Sequence, residues 1–382
     1  MKLVFVSNYF NHHQKPFCEE MYKRLGEDFR FISTSEMREE RKKLGYKQGE
    51  DLEYVLLSHK SEEGKKEALS LINNADVVIA GAAPNELLTD RIKSGKLLFR
   101  YSERPFKKRI SFLKKLYFAF DFRKKDLFKK KNIYMLCASG YAAADYASVG
   151  VYKGRTYKWG YFPEVKEYDI DELLSKKKRN TLLWCGRFLD WKHPDDALKL
   201  AARLKESGYD FHLNIVGKGE MEGELKQLSL DLGLLDYVTF LGSMPPERVR
   251  EYMEEAGIYL FTSDRKEGWG AVLNESMNSG CAVIANQAAG SVPYLLKNRE
   301  NGLVYSLGEI DALYEKVKYL LDDPSKQAEY GANAYRTLTD MWNAETVVQR
   351  ILELSAVLLR DKESFGLFDK GPCSIAEIIE DS

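Results

Sequence analysis

Glu267 and Glu275 stand on either side of the turn Gly268-Trp269-Gly270, within the stretch SDRKEGWGAVLNESMNSG that runs from Ser263 to Gly280. The apolar run before it, 258–262 (IYLFT), reads as a buried strand. Ala271, Val272, Glu275, Ser276 and Ser279 follow at helical spacing, and Gly280 reads as the stop. The first N–H groups of a helix lack intrahelical partners and carry the positive end of its dipole, so they favour an anion. Gly268 and Gly270 let a backbone approach a ligand closely. Carboxylates repel phosphate but accept strong hydrogen bonds from neutral hydroxyls. A sugar nucleotide, with a diphosphate between two polyhydroxyl ends, suits that pattern. A plain strand–turn–helix whose acids favour the helix start is the alternative reading.

Other residues fall at comparable places. Arg187 and Lys192 lie just past the apolar run 181–185. A guanidinium fork and an ammonium point charge together bind a diphosphate and stabilise charge on a leaving group; salt bridges to Asp190 or Asp195 are the structural alternative. Gly217 and Gly219 follow the run 211–216 and would let a loop pass close to a base or ribose. Near the N-terminus, Asn11, His12, His13 and Gln14 follow the strand-like run 3–6 and offer hydrogen-bonding side chains, although paired surface histidines are also commonly inert. That loop has no G-x-G-x-x-G, so a nicotinamide or flavin dinucleotide is not expected. Glu103 lies in the charged loop 101–105, and Asp169-x-Asp171 reads as a solvated helix start, not a metal pair.

The elements that must position these groups alternate along the chain. Apolar runs at 3–6, 30–32, 55–56, 77–81, 97–100 and 134–138 are separated in several places by helical stretches such as 61–73. The second half repeats the alternation, with runs at 181–185, 211–216, 238–241, 258–262, 282–286 and 301–305, and helices at 311–321, 324–335 and 344–359. Alternation of this kind predicts two doubly wound parallel α/β sheets, whose ligands sit beyond the carboxyl ends of the strands. The polar, charged stretch 164–180 marks the boundary, giving an N-terminal domain over 1–165 and a C-terminal domain over 166–339.

Segment 104–131 has an unusual composition. Twelve basic residues, from Arg104 to Lys131, are interleaved with Phe106, Phe112, Leu113, Leu116, Tyr117, Phe118, Phe120, Phe122 and Phe128, and only Asp121 and Asp126 oppose them. Such a mixture suits an anionic membrane surface. A helix with an aromatic core face and solvated lysines, or a site for an acidic soluble acceptor, would use the same residues.

Composition bounds the remaining readings. At 382 residues, with 44% apolar and 30% charged, the chain has the balance of a globular protein of two domains. Lys+Arg and Asp+Glu are both 58, so no global charge argues for nucleic acid. The five cysteines have no CxxC spacing, which argues against a disulfide framework or a zinc site. The opening residues read as a strand instead of a targeting segment, so a cytoplasmic location is expected.

Taken in order, Gly186-Arg187…Lys192, Gly217-x-Gly219, Phe240-Leu241-Gly242, Glu267-Gly-Trp-Gly-x-x-x-x-Glu275 and Gly280-Cys-Ala-Val-Ile…Gly290-Ser-Val-Pro resemble retaining glycosyltransferases of family 4. The resemblance covers roughly 181–340 and implies a GT-B fold, two Rossmann-like domains facing each other across a cleft. It also implies that the last helix, within 340–382, rejoins the N-terminal domain. Arg187 and Lys192 would hold the donor diphosphate, with backbone N–H groups around 270–272, and Glu267 would face the transferred sugar. Gly186, Gly217, Gly219, Gly268, Trp269, Gly270, Ala271 and Val272 would complete the donor site, with Glu275 on the ribose hydroxyls. The resemblance implies neither metal nor cofactor beyond the nucleotide-diphosphate sugar itself, and an acceptor that is a glycan or lipid-linked. Two departures stand out: the first loop, often glycine-rich in the family, is Asn11-His12-His13-Gln14, and Glu103-Arg104 stand where many members carry a histidine. His12 or His13 is expected to take over contact with the donor sugar or its phosphate. Rival expectations are a sugar-nucleotide epimerase of the same fold and a non-catalytic sugar-nucleotide-binding subunit.

Overall fold

The alternation resolves into two parallel sheets in a computed structural model, which describes residues 1–37, 39, 47–108, 110–125, 132–360 and 366–379. By contact density the chain divides into two units, Met1–Glu164 with Trp342–Ser382, and Val165–Met341.

In the first unit β1 (Leu3–Ser7), β2 (Phe29–Ser33), β3 (Val55–Leu57), β4 (Val77–Ala80), β5 (Leu98–Ser102), β6 (Ile133–Cys137) and β7 (Thr156–Lys158) form one sheet in the order 3-2-1-4-5-6-7, every pairing parallel. β1 and β4 are buried at every position, because helices cover both faces of a parallel sheet. Val4, Val6, Ile32, Val78 and Ala80 pack with Ala68 and Ile72 of the helix Glu62–Asn74. Helix Ala344–Leu359 packs on helix Lys15–Leu25 within this unit. Residues 373–376 run beside β7, with Lys158 N–H donating to Ser374 O at 2.7 Å and Ala376 N–H to Thr156 O at 3.0 Å.

The second unit carries β8 (Lys178–Cys185), β9 (His212–Val216), β10 (Val238–Gly242), β11 (Ala256–Phe261), β12 (Ala282–Asn286) and β13 (Leu303–Tyr305), parallel in the order 10-9-8-11-12-13. Its core joins Leu182, Leu213, Ile215, Ile258, Leu260 and Ile284 to Leu198, Ala201 and Leu204 of helix Pro194–Glu206.

Strand and helix ends depart from the sequence reading where polar residues occupy them. β8 begins at Lys178, three residues before the apolar run, because Lys178 pairs with Ala256 while its own side chain stays in solvent. Within the polar stretch 164–180 a helix forms at Ile170–Ser175. Asp169 caps it by accepting from the N–H groups of Asp171 and Glu172, both at 3.1 Å. That helix start is the one expected from Asp169-x-Asp171. β7 has no counterpart in the sequence reading, since only Tyr157 of its three residues is buried. Among the described residues no helix is long and apolar enough to cross a membrane.

Candidate active site

In an open parallel sheet the chain order reverses between two central strands, and the loops leaving their carboxyl ends diverge to opposite faces, opening a crevice. In the second unit those strands are β8 and β11. The loop after β8 carries Arg187 and Lys192, and the loop after β11 carries Glu267, so the sheet brings together groups far apart in sequence. Lys192 Nζ lies 2.5 Å from Glu267 Oε2, with both side chains nearly buried. Ser263 Oγ donates to the same carboxylate oxygen at 3.1 Å, and Lys192 Nζ also sits over the Trp191 ring at 4.7 Å. The backbone binds the loops as well: Thr262 Oγ1 donates to Lys192 O at 2.6 Å and accepts from the buried Trp184 indole at 2.8 Å, while Asp264 N–H donates to Trp191 O at 2.9 Å. His193 closes the first loop in the left-handed region (φ 47°), and its imidazole meets the Asp264 carboxylate at 3.5 Å. That contact holds the His193 pKa above its ordinary value. By contrast, the exposed Arg187 guanidinium has no hydrogen bond or ion pair among the described residues.

Helix Ala271–Asn278 starts where Gly270 turns through the left-handed region (φ 85°). A Cβ there would lie 2.5 Å from Phe261 Cζ, so the turn admits glycine alone. No hydrogen bond within the described residues uses the N–H groups of Ala271 and Val272, the first two of the helix. One turn further in, Glu275 is half-buried; no side chain bonds its carboxylate among the described residues, and burial raises its pKa to about 7 against a weaker pull from Arg250. An unpartnered carboxylate, unpartnered helix N–H groups, an unengaged guanidinium and a lysine in an ion pair thus share one end of one sheet.

Three residues of the expected donor set also have roles inside the fold. Trp269 is wholly buried, with its indole N–H donating to Asn274 Oδ1 at 2.8 Å and its carbonyl accepting from Ser291 Oγ at 2.6 Å, so its side chain braces the turn and offers no face to a ligand. Gly217 and Gly219 spend their missing side chains on the protein itself: a Cβ on Gly217 would lie 1.9 Å from Gly186 O, and one on Gly219 2.5 Å from Phe188 O. Phe188 N–H donates to Lys218 O at 3.0 Å across this approach. The glycine pair therefore sets the height of the Gly186–Arg187 loop. Gly268 is buried in the turn.

The first unit has its own cavity of about 610 Å³ beyond the carboxyl ends of β1, β4 and β5. Asn11, His13, Gln14 and Glu103 line it, and the ring of His12 lies against that of His13, centroids 3.6 Å apart. Asn11 and Gln14 are partly committed to their own turn, with His13 N–H donating to Asn11 Oδ1 at 3.0 Å and Asn11 N–H to Gln14 Oε1 at 3.2 Å. Glu103 accepts from Tyr161 OH at 2.6 Å and from Lys107 Nζ at 2.8 Å. Burial keeps the Tyr161 phenol well above its usual pKa, so it stays a donor, and the His13 ring stacks on it at 5.8 Å. Sequence reasoning passed over Tyr161 and Ser263; Ser263 follows the carboxyl end of the apolar run 258–262, which was the available signal, whereas Tyr161 follows β7, which the sequence does not announce.

Elsewhere the structure redistributes the basic segment. Arg104 is buried, donating from Nε and Nη2 to Asp145 at 3.2 and 3.0 Å and stacking over Tyr141, so it belongs to the core and not to a membrane-facing set. Phe106 is buried, and Phe118 and Phe122 pack against its cluster. Arg109, Asp126, Phe128 and Lys129–Lys131 lie outside the described residues, as do 362–365 and 380–382 of the tail. Ligand atoms of His193, Asp195 and Asp196 lie within 4.8 Å of one another, but Lys199 pairs with both aspartates, at 2.7 and 3.2 Å, and Asp264 takes His193.

Residues 165–337, nearly the whole second unit, match the family described as glycosyl transferases group 1. Among curated relatives, an uncharacterized glycosyltransferase of Haemophilus influenzae is 27% identical over 176 residues, 46% of this chain and 49% of its own length. A GDP-mannose-dependent alpha-(1-6)-phosphatidylinositol monomannoside mannosyltransferase of Mycolicibacterium smegmatis is 26% identical over 182 residues, 46% of this chain and 47% of its own. The chain thus spans about half the length of these relatives. The structure of Anabaena HepE in complex with UDP superposes with a TM-score of 0.69 over 93% of this chain and 100% of that one, at 18% identity. That likeness and the two sheets define the two-domain Rossmann-like α/β fold of the GT-B kind. The whole chain thus shares this fold, and residues 165–337 are similar to glycosyl transferases group 1.

Proposed function

We propose that the chain is a retaining glycosyltransferase of family 4, moving a sugar from a nucleotide-diphosphate sugar to a glycan or lipid-linked acceptor in bacterial surface polysaccharide or glycolipid synthesis. The observation that carries this reading is the convergence, at the β8/β11 switch point, of Lys192 and Glu267 with two unengaged helix N–H groups and the unpartnered Glu275. The diphosphate would take the N–H groups of Ala271 and Val272, the Arg187 fork and the Lys192 ammonium, drawing Lys192 partly away from Glu267. Glu275 would accept the ribose hydroxyls, and Glu267 would meet the sugar. The C1–O bond to the diphosphate breaks as the acceptor oxygen bonds C1 on the same face, and the acceptor proton passes to the departing phosphate oxygen. Charge gathering on that phosphate is what Arg187, Lys192 and the helix start stabilise; the reading requires no metal. The acceptor is assigned to the first unit's cavity, on Asn11, His13, Gln14 and Glu103. A lipid-linked acceptor draws support from the relative named for phosphatidylinositol monomannoside, and a nucleotide-sugar donor from structures named as UDP and UDP-glucose complexes.

Nucleotide release, measured over a panel of nucleotide sugars with and without glycan and lipid-linked acceptors, tests the reading. Release from one donor that depends on acceptor and is lost in Glu267→Ala is expected. Acceptor-independent turnover of donor, or no turnover with any pair, would overturn it.

A further inference from the structure

Helix Phe112–Lys125 shows two opposed apolar faces. Phe118 and Phe122 turn inward onto the cluster of Phe106, Met135 and Tyr146. On the other side Phe112, Leu113, Leu116, Tyr117 and Phe120 are 52–76% exposed. Their spacing, i, i+1, i+4, i+5 and i+8, makes one continuous stripe along the helix. Isolated exposed leucines need no explanation, but five large side chains on one short helix form a contiguous patch that water solvates at a cost. The inward face already supplies what the fold needs, so the outer face serves something outside the unit.

We infer that this outer face docks on an anionic phospholipid bilayer, with the helix lying in the interface and its rings in the acyl–headgroup boundary. Charge selects that occupant. Exposed Lys114 and Lys124 and the half-exposed Lys115 border the stripe, and none has an ion-pair partner among the described residues. Asp121, the helix's one described acid, is taken by Lys125 at 2.6 Å. Lysines attract anionic headgroups while aromatic and leucine side chains insert. A second copy of the chain would set the same basic rims against each other, since a two-fold interface repeats each patch on its partner. Placement gives the docking a use: the first unit's cavity, bounded by Glu103 and Tyr161, reaches Phe122 and Lys125 of this same helix. Docking would hold that cavity at the membrane surface, where a lipid-linked acceptor resides. The acceptor clause rests on the proposed function; the docking itself does not.

Co-sedimentation with vesicles of phosphatidylcholine alone or mixed with phosphatidylglycerol needs no substrate, so it can fail or succeed apart from the transferase reading. The full chain is expected to bind the mixed vesicles at least about tenfold more tightly than the neutral ones. Phe112→Ser/Leu116→Ser/Phe120→Ser should abolish binding, and Lys114→Glu/Lys115→Glu should remove the preference for anionic lipid. Four of the five positions are exposed and Lys115 is half-exposed, and an unchanged melting temperature confirms that the variants fold. In Phe120→Trp the added indole should shift its emission to the blue with mixed vesicles. Vesicle binding that survives the triple substitution would overturn the proposal. So would a dimer in solution that only the triple substitution dissociates, with no vesicle binding by either form.

Discussion

Burial penalises the charge on Glu275 more than the Arg250 guanidinium relieves it, and the carboxyl group titrates near 7 instead of 4.5. The neutral form is thus favoured by the fold. Stability from this group is fully present below about pH 4.5 and is lost as pH rises through 7, a loss of about 3 kcal/mol by pH 8. Glu275→Gln should therefore raise the melting temperature at pH 8 and leave it unchanged at pH 4.5. Thermal unfolding at both pH values checks this, and equal shifts would contradict it. The same ionisation should act on function in the opposite sense. Only the carboxylate accepts two hydroxyl hydrogen bonds well, so nucleotide affinity should strengthen between pH 6 and 8 in the native chain and stay flat in Glu275→Gln. On the proposed function, Arg187→Ala and Lys192→Ala would each remove charge that stabilises the leaving phosphate, and turnover should fall about 100-fold for either. Steady-state rates decide that, and a change confined to KM would assign the two residues to uniform binding instead.

At the scale of elements, the site depends on loops held at fixed heights over the sheet. Gly217→Ala would drive a Cβ into the Gly186 carbonyl, which is backbone and cannot swing aside. The expected loss is about 2 kcal/mol or more, with nucleotide binding weakened because the Arg187 loop must shift. In the first unit, Asp145→Ala leaves the buried Arg104 without its carboxylate and should cost about 3 kcal/mol or more in denaturant unfolding. Much of the element pattern was legible beforehand. β1, β4 and β11 are uninterrupted apolar runs, because parallel strands are covered on both faces. β7 was not, since its pairing uses backbone groups while two of its three side chains stay partly exposed. The Arg104–Asp145 pair was equally hidden. Composition counts charges without showing which are sheathed, and 41 residues separate the partners. At the candidate site, residue types suggested a diphosphate and hydroxyls, yet the Lys192–Glu267 contact spans 75 positions and emerges only when β8 and β11 become neighbours. Gly217 and Gly219 show the complementary limit: sequence announces room, and only packing shows what fills it.

For the molecule as a whole, equal numbers of acidic and basic residues conceal strong local asymmetry, a basic helix in one unit and an unpartnered acid beside free N–H groups in the other. A ligand held only by the folded second unit must stabilise it by mass action, by about 2.7 kcal/mol at 100 times Kd. The correct nucleoside diphosphate should therefore raise the melting temperature of the native chain, and inorganic phosphate at the same concentration should not. The β8/β11 crevice, on the proposed function, is a nucleoside-diphosphate site, and calorimetric titration of the full chain with nucleoside diphosphates is its sharpest test. Saturable one-to-one binding of at least one of them is expected, weakened about tenfold or more in Arg187→Ala and in Lys192→Ala, and losing its pH dependence in Glu275→Gln. Binding of none, or binding indifferent to all three substitutions, would contradict it.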